Sequence, residues 1–366
     1  MKTILTVIGT RPEAIKLAPV LVALSKSKYF ISKVCITGQH TDLLNPFLFD
    51  LGIIADYQFS NNQNNGSLYQ SAASILEKFG TVLSTTRPDL VIVQGDTTTA
   101  FAAAIAAFYS RIPLAHIEAG LRTGNLNSPW PEEAHRYFID RVSSYFFAPT
   151  QRAKERLFTE GIPIEKIWVV GNTSIDAIRE FSKPIKSISN RKKTIVVTVH
   201  RRENHGARLK EICYALKAIV EQFLDVRIMF ILHPNPSIRN SVIEILAEIA
   251  NIDLIEPLDH PSLVELLAQS DFIITDSGGI QEEAPFIGKP VVIIRDTTER
   301  PEGVEAGTAR LVGTKADDII KCCKELLESD ELLASMSKIH FPYGNGFAAN
   351  HVVKILEEKF AEVVFK

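Results

Sequence analysis

Short apolar runs alternate with longer stretches of helical period along this chain of 366 residues. Thr3–Ile8, Lys33–Thr37, Leu90–Gln94, Leu114–Ile117 and Tyr145–Ala148 form a first series of runs. Thr194–Val199, Arg227–Leu232, Asp253–Ile255, Phe272–Thr275 and Val291–Ile294 form a second. The runs are nearly continuous rather than alternating, as expected of strands buried on both faces of a parallel sheet. Segments such as Ala14–Lys26, Thr97–Tyr109 and Leu209–Gln222 show the 3.6-residue period of helices that cover such a sheet. The pattern predicts an α/β protein with two Rossmann-like, doubly wound domains facing a cleft. We place the first domain at 1–171 and the second at 172–347, with the boundary near Gly171–Thr173. Lys183–Lys193, without helical period, reads as a connection at the start of the second domain. A last helix within 348–366, over Asn350–Phe360, carries Val352, Val353, Ile355, Leu356 and Phe360, and by pattern alone packs on either domain.

Composition narrows the class without changing this picture. Hydrophobic residues make up 46% and charged residues 23% of the chain, which sets aside disordered and fibrous readings. A net charge of -3 argues against a general nucleic-acid coat but leaves room for a local basic pocket. Of the four cysteines, Cys35, Cys213, Cys322 and Cys323, no two form C-x-x-C. Cys35 and His40 are the one close Cys/His pair, and no second pair completes a zinc site. Free thiols in a reducing cytoplasm are the expectation. Met1–Gly9 reads as a first strand rather than a signal peptide, and no apolar run approaches the roughly 20 residues of a membrane span.

In open parallel sheets, ligands bind beyond the carboxyl ends of the strands. Those ends are rich in chemistry here. After the first strand comes Gly9-Thr10-Arg11-Pro12-Glu13-Ala14-Ile15-Lys16, which sets Arg11 and Lys16 near a helix start that Pro12 favours. Later ends carry Gly95-Asp96-Thr97, Glu118-Ala119-Gly120-Leu121-Arg122, His200-Arg201-Arg202-Glu203, Asp276-Ser277-Gly278-Gly279 and Arg295-Asp296-Thr297-Thr298-Glu299-Arg300. Ser277, Gly278 and Gly279 precede an expected helix Ile280–Phe286, where free amides suit phosphate oxygens, and Glu283 lies one turn further, within reach of ribose hydroxyls. The first loop is not G-x-G-x-x-G, no acid follows the second strand at Thr37-Gly38-Gln39, and no P-loop occurs, so neither a dinucleotide nor an ATP-type site is supported. Asp96, Glu118 and one of Glu132 or Glu133, after a Gly/Asn/Pro loop, are the acid/base candidates. His200 ends a strand beside Arg201 and Arg202 and suits a phosphate or leaving-group contact. His116, inside a strand, reads as a satisfied core residue.

These motifs, in this order and with Ser128-Pro129-Trp130-Pro131-Glu132-Glu133 between them, closely resemble the non-hydrolysing UDP-N-acetylglucosamine 2-epimerases, over nearly the whole chain. The resemblance implies a glycosyltransferase-B type fold, a homodimer, and a last helix that returns to the first domain. It implies reversible interconversion of UDP-GlcNAc and UDP-ManNAc without metal, nicotinamide or other cofactor, in service of surface-polysaccharide synthesis. It further implies catalytic roles for Asp96, Glu118, Glu132 and His200, and UDP or substrate contacts from Arg11, Lys16, Ser277, Gly278, Gly279, Glu283 and Arg300. Which carboxylate is base and which is acid stays open. Relatives resemble one another at a second, allosteric UDP-GlcNAc site; here Gln39 is kept, but Asp42 and Ser74 stand where a glutamine or glutamate and an arginine are usual. His260 stands where a tyrosine is usual near the uracil pocket. A hydrolysing epimerase, a retaining glycosyltransferase and a non-catalytic UDP-sugar binding protein are the competing readings.

Overall fold

The computed structural model describes residues 1–38, 48–49, 52–59, 67–181 and 192–364. It forms two compact units, Met1–Glu180 together with Tyr343–Lys366, and Phe181–Pro342. Most of the Lys183–Lys193 connection, with Gln39, His40 and Asp42, lies outside the described residues.

The first unit is built on seven parallel strands: β1 (Lys2–Ile8), β2 (Phe30–Ile36), β3 (Tyr57–Gln58), β4 (Leu90–Gln94), β5 (Leu114–Ile117), β6 (Tyr145–Ala148) and β7 (Ile167–Val169). Their order across the sheet is β3-β2-β1-β4-β5-β6-β7. Alternate residues of β1 serve two cores. Ile4 and Ile8 join Leu17, Leu21, Val352 and Leu356 on one face, while Leu5 and Val7 join Phe79, Val91, Val93 and Ala103 on the other. A strand loaded on both faces has no polar side to show, which is why these runs read as continuous.

The second unit repeats the plan with six parallel strands: β8 (Lys193–Thr198), β9 (Val226–Ile231), β10 (Ile252–Ile255), β11 (Phe272–Thr275), β12 (Val291–Ile293) and β13 (Ala309–Leu311), ordered β10-β9-β8-β11-β12-β13. Ile195 and Val197 of β8 pack with Leu216 and Ile219 of the helix Ala207–Gln222, and Val196 packs on the opposite side with Ile280 and Ala284. In each sheet the order reverses beside the first strand of the unit, at β1/β4 and β8/β11, the switch point where strand ends diverge and leave room for a ligand.

The last helix, Ala348–Val364, packs its Val352 and Leu356 on Leu17 and Leu21 of the helix Arg11–Lys26. Two features fix its entry. Gly171 and Gly344 have φ of +96° and +103°, and a Cβ on Gly344 would lie 2.9 Å from the Gly171 Cα, so only glycine permits this crossing of two backbones. The buried Asp176 carboxylate then accepts hydrogen bonds from the Ala348 and Ala349 amides at 3.1 and 2.8 Å, satisfying first-turn donors that the helix itself cannot. Burial raises this carboxyl to a pKa of about 6, with the two amides pulling the other way. Asp176→Ala should therefore destabilise the chain by about 1 kcal/mol in urea unfolding, the usual cost of losing a side-chain cap. Amide exchange at Ala348 and Ala349 should accelerate with it.

Candidate functional site

Three adjacent strand ends of the first unit are joined by carboxylates. The helix Arg11–Lys26 starts from Thr10, whose hydroxyl and the Glu13 side chain form a capping box. Glu13 does more than cap. It is 1% exposed, accepts from the Gly9 and Thr10 amides at 3.0 and 2.6 Å, and takes the Thr97 hydroxyl at 2.6 Å. One carboxylate thus ties the loop after β1, which carries Arg11, to the loop after β4, which carries Asp96. Burial drives its pKa from 4.5 up to about 7, with Thr97, Thr10 and the amides opposing.

Glu118 emerges from the end of β5 with φ of +72°, a left-handed conformation that costs a non-glycine residue of order 1–3 kcal/mol. The corner exists because the Glu118 and Ala119 amides both donate to the Phe147 carbonyl of β6, at 3.0 and 3.1 Å. It turns the carboxylate toward the neighbouring strand ends. There Lys16 Nζ, on the helix after β1, donates to Oε2 at 2.5 Å, and Gln94 Nε2, at the end of β4, donates to the same oxygen. Lys16 and Glu118 are both buried.

Asp96 follows the turn at Gly95. Its Oδ2 receives the Nε and Nη2 of Arg136 at 2.7 and 2.6 Å, and its carbonyl receives Nδ1 of His135 at 2.9 Å. Both partners lie on the helix Glu132–Val142. The structure separates the two glutamates that begin this helix. Glu133 is fully buried, pairs with Arg136 at 2.9 Å and accepts from the Thr123 and Gly124 amides, so it closes the preceding loop. Glu132 is half-buried in the first turn, the member of the pair without that buried duty. His116 is a satisfied core residue, bonded through Nδ1 to Asp140 at 2.6 Å and through Nε2 to the Gly95 carbonyl at 2.8 Å. Burial alone would raise Asp140, but His116 and Arg122 hold it below the ordinary carboxylate range.

In the second unit, Asp276 plays the joining part. Fully buried at the end of β11, it accepts from the His200 and Arg201 amides and from Asn204 Nδ2, all at 2.8–3.1 Å, and so shapes the loop after β8. Loss of water around the His200 imidazole lowers its pKa from the ordinary 6.5, with Asp276 pulling upward and Arg201 downward, although the residue keeps an exposed face. Its ring lies 5.7 Å from that of His233.

The helix after β11 begins at Gly278 rather than at Ile280, so both glycines contribute first-turn amides, and Ser277 at the N-cap makes no side-chain capping bond. Gly278 is required sterically: a Cβ there would meet the Arg300 guanidinium at 2.6 Å. Arg300 is 5% exposed and pairs with Glu282, at 2.6 Å, and with Glu299. Its guanidinium therefore lies against the turn. Glu283 is buried, and its Oε1 meets Nε2 of His260 at 3.2 Å.

Of the residues that the sequence singled out, the first unit brings Lys16 to Glu118 and links Asp96 through Arg136 to the helix of Glu132. Arg11 begins the helix that carries Lys16 and is half-buried. The second unit gathers Ser277, Gly278, Gly279, Glu283 and Arg300 at one turn and sets His200 on the adjacent strand end. Ser74 lies half-buried on the helix Leu68–Thr86. Glu13 and Arg136 were not singled out. The Thr10-x-x-Glu13 spacing is a capping-box signal that points to the first, whereas nothing local points to the pairing of Arg136 with Asp96. All four cysteines are buried and free. Among the described residues no group of three His, Cys, Asp or Glu side chains is placed to hold a metal ion, and no helix is long and apolar enough to cross a membrane. A recess of about 690 Å³ beside β13, lined by Arg310, Asp318, Cys322 and Glu325 among others, includes none of the strand-end residues above.

The raised pKa of Glu13 has a measurable consequence. The folded chain keeps this proton up to about pH 7, whereas an ordinary carboxyl loses it near 4.5. The stability it contributes is full below the lower value and is lost as pH rises through the higher one. Glu13→Gln, permanently neutral, escapes that loss. Its urea midpoint relative to the unsubstituted chain should rise between about pH 5 and about pH 8.

Comparison with known proteins places this geometry. The model of the UDP-N-acetylglucosamine 2-epimerase family matches residues 22–357. The UDP-N-acetylglucosamine 2-epimerase of Neisseria meningitidis is 44% identical, with 96% of this chain and 98% of that one aligned, and its Escherichia coli K12 counterpart is 43% identical over 97% and 98%. The crystal structure of the Neisseria meningitidis UDP-GlcNAc 2-epimerase bound to UDP-GlcNAc superposes with a TM-score of 0.93, covering 97% of this chain and 100% of that one at 44% identity. That of Methanocaldococcus jannaschii, in complex with UDP-GlcNAc and UDP, gives 0.87 at 35% identity, covering 97% and 99%. The chain belongs to the UDP-N-acetylglucosamine 2-epimerase family.

Proposed function

We propose that this chain interconverts UDP-GlcNAc and UDP-ManNAc by removing UDP and adding it back. The observation that carries this reading is the trio of carboxylates, Asp96, Glu118 and Glu132, on strand ends and a helix start of the first unit, in a chain whose relatives have been seen bound to UDP-GlcNAc. The sugar C2–H is weakly acidic, so its removal needs a placed base. As the base takes that proton, the C–H electron pair becomes the C1=C2 bond of a 2-acetamidoglucal, and the C1–O bond breaks with its electrons leaving on the diphosphate of UDP. Returning a proton to the opposite face of C2, while a diphosphate oxygen re-adds at C1, gives the epimer. No oxidation state changes, so no redox partner is consumed.

The roles divide by unit. In the first, Lys16 and Gln94 fix the direction of Glu118, and Arg136 fixes Asp96, so proton transfer needs little reorganisation. In the second, the Gly278 and Gly279 amides and Ser277 are suited to the diphosphate, and His200 to the charge that grows on it as UDP departs. Glu283 is suited to the ribose, and Arg300 supports the turn from below. In the first unit Arg11 adds a cation at the start of the helix that carries Lys16. We extend the reading to a homodimer: Phe108, Tyr109 and Phe138, on two neighbouring helices of the first unit, are exposed, an apolar face suited to a second copy. The proposed setting is the cytoplasm, upstream of a polysaccharide that incorporates the mannosamine unit.

Proton NMR of UDP-GlcNAc with the protein alone tests the reading. UDP-ManNAc should accumulate without free ManNAc. Free ManNAc with UDP would mark a hydrolysing enzyme, and no change a binding protein. Asp96→Asn, Glu118→Gln and Glu132→Gln should each lower turnover by roughly 10²–10⁴-fold, the usual worth of general acid–base catalysis, with folding intact by circular dichroism.

A further inference from the structure

The helix His260–Gln269 starts from Asp259, whose carboxylate accepts from the Ser262 amide at 2.8 Å, and Pro261 preorganises its first turn. That cap pins His260 at the first helical position with its side chain 5% exposed, an unusual depth for a helix start. The ring points at the helix Gly278–Phe286, where Nε2 lies 3.2 Å from Glu283 Oε1. Glu283 is a carboxylate only 7% exposed at its side chain, and among the described residues its hydrogen-bond partner is His260. Among the described residues no donor is placed on Oε2. The same carboxylate overhangs the glycine turn: Oε1 lies 4.0 Å from the position a Cβ would take on Gly279, and the uncapped first-turn amides begin one residue before it. Oε2 is not sealed from solvent, so a ligand can supply the donors that the protein does not.

We propose that His260 is a positioning residue for nucleotide recognition: by donating to Oε1 it sets the Glu283 carboxylate so that Oε2 meets the ribose hydroxyls of a uridine diphosphate. The inference rests on the nucleotide site proposed above and adds to it the group that aims its carboxylate. The geometry accounts for a histidine at this position. An imidazole at one helix start reaches the second turn of the helix Gly278–Phe286 and presents a ring N–H, whereas an aliphatic or phenyl side chain of similar bulk would fill the space and leave both carboxylate oxygens without donors. In that case the carboxylate is free to turn, and ordering it falls on the ligand.

Two variants separate the donor from the ring. His260→Phe keeps an aromatic ring and removes the N–H; His260→Gln removes the ring and keeps an N–H donor. UDP and 2′-deoxy-UDP are titrated calorimetrically into the full chain and both variants, with urea unfolding as the check on folding. His260→Phe should bind UDP about tenfold more weakly, the scale of a hydrogen bond to a charged group, and should lose most of the preference for UDP over 2′-deoxy-UDP. His260→Gln should recover most of both. UDP affinity and ribose preference unchanged in His260→Phe, or lost in His260→Gln and kept in His260→Phe, would overturn the proposal, the latter showing that the ring acts as a stacking surface. Glu283→Gln, run alongside, separates the two levels. If it binds UDP as tightly as the unsubstituted chain, the ribose assignment itself fails; if it weakens UDP while His260→Phe does not, only the positioning role fails.

Discussion

Glu118 leaves β5 through a left-handed corner, and much of the first unit's site follows from holding that corner in place. A non-glycine residue at φ +72° persists only where its surroundings over-determine it. Here two successive amides share the Phe147 carbonyl, while Lys16 and Gln94 converge on one carboxylate oxygen. The partners come from the helix after β1, from the end of β4 and from β6, the last two being the strands that flank β5 in the sheet, so the corner cannot relax without disturbing all three. The buried ammonium and carboxylate are costly individually, and their pairing with a third donor makes the arrangement tenable. What it secures is direction: the carboxylate proposed to transfer the proton does not have to find its orientation.

The same device recurs with other chemistry. Glu13 binds two loops of the first unit through neutral donors and, without a cation beside it among its hydrogen-bond partners, is pushed toward neutral pH by burial. Asp276 binds the His200 loop of the second unit through two amides and Asn204. Arg300 supports the glycine turn while satisfied by Glu282 and Glu299. In each case a buried ionisable group fixes a loop at a strand end, which is where a parallel sheet offers a ligand both space and amides.

Central strands were legible because burial on both faces erases polar alternation; Leu90–Gln94, Leu114–Ile117, Tyr145–Ala148 and Phe272–Thr275 keep the same bounds in sequence and structure. Tyr57–Gln58, Ile167–Val169 and Ala309–Leu311 were not, since each is two or three residues at or beside a sheet edge, with an exposed residue in it. The helix after β11 was read as starting two residues late, because glycine is a poor helix former and here its lack of a side chain serves the Arg300 contact. Candidate residues at strand ends were legible from topology. Their partners were less so: Arg136 meets Asp96 across forty positions of sequence, and His260 meets Glu283 across twenty-three, pairings that only the folded chain displays. The division of labour between Glu132 and Glu133 likewise needed the structure, since neighbouring glutamates look alike until one is found buried against Arg136.

The central claim is that C2 inverts through loss and return of UDP. Its most direct test is a double label: UDP-GlcNAc carrying ¹⁸O in the sugar–phosphate bridge, incubated with the protein in D₂O. The account predicts deuterium at C2 of the UDP-ManNAc formed and of recovered UDP-GlcNAc, together with movement of ¹⁸O from the bridge into non-bridging oxygens of the β-phosphate. UDP-ManNAc formed without deuterium at C2 and with ¹⁸O still wholly in the bridge would contradict it.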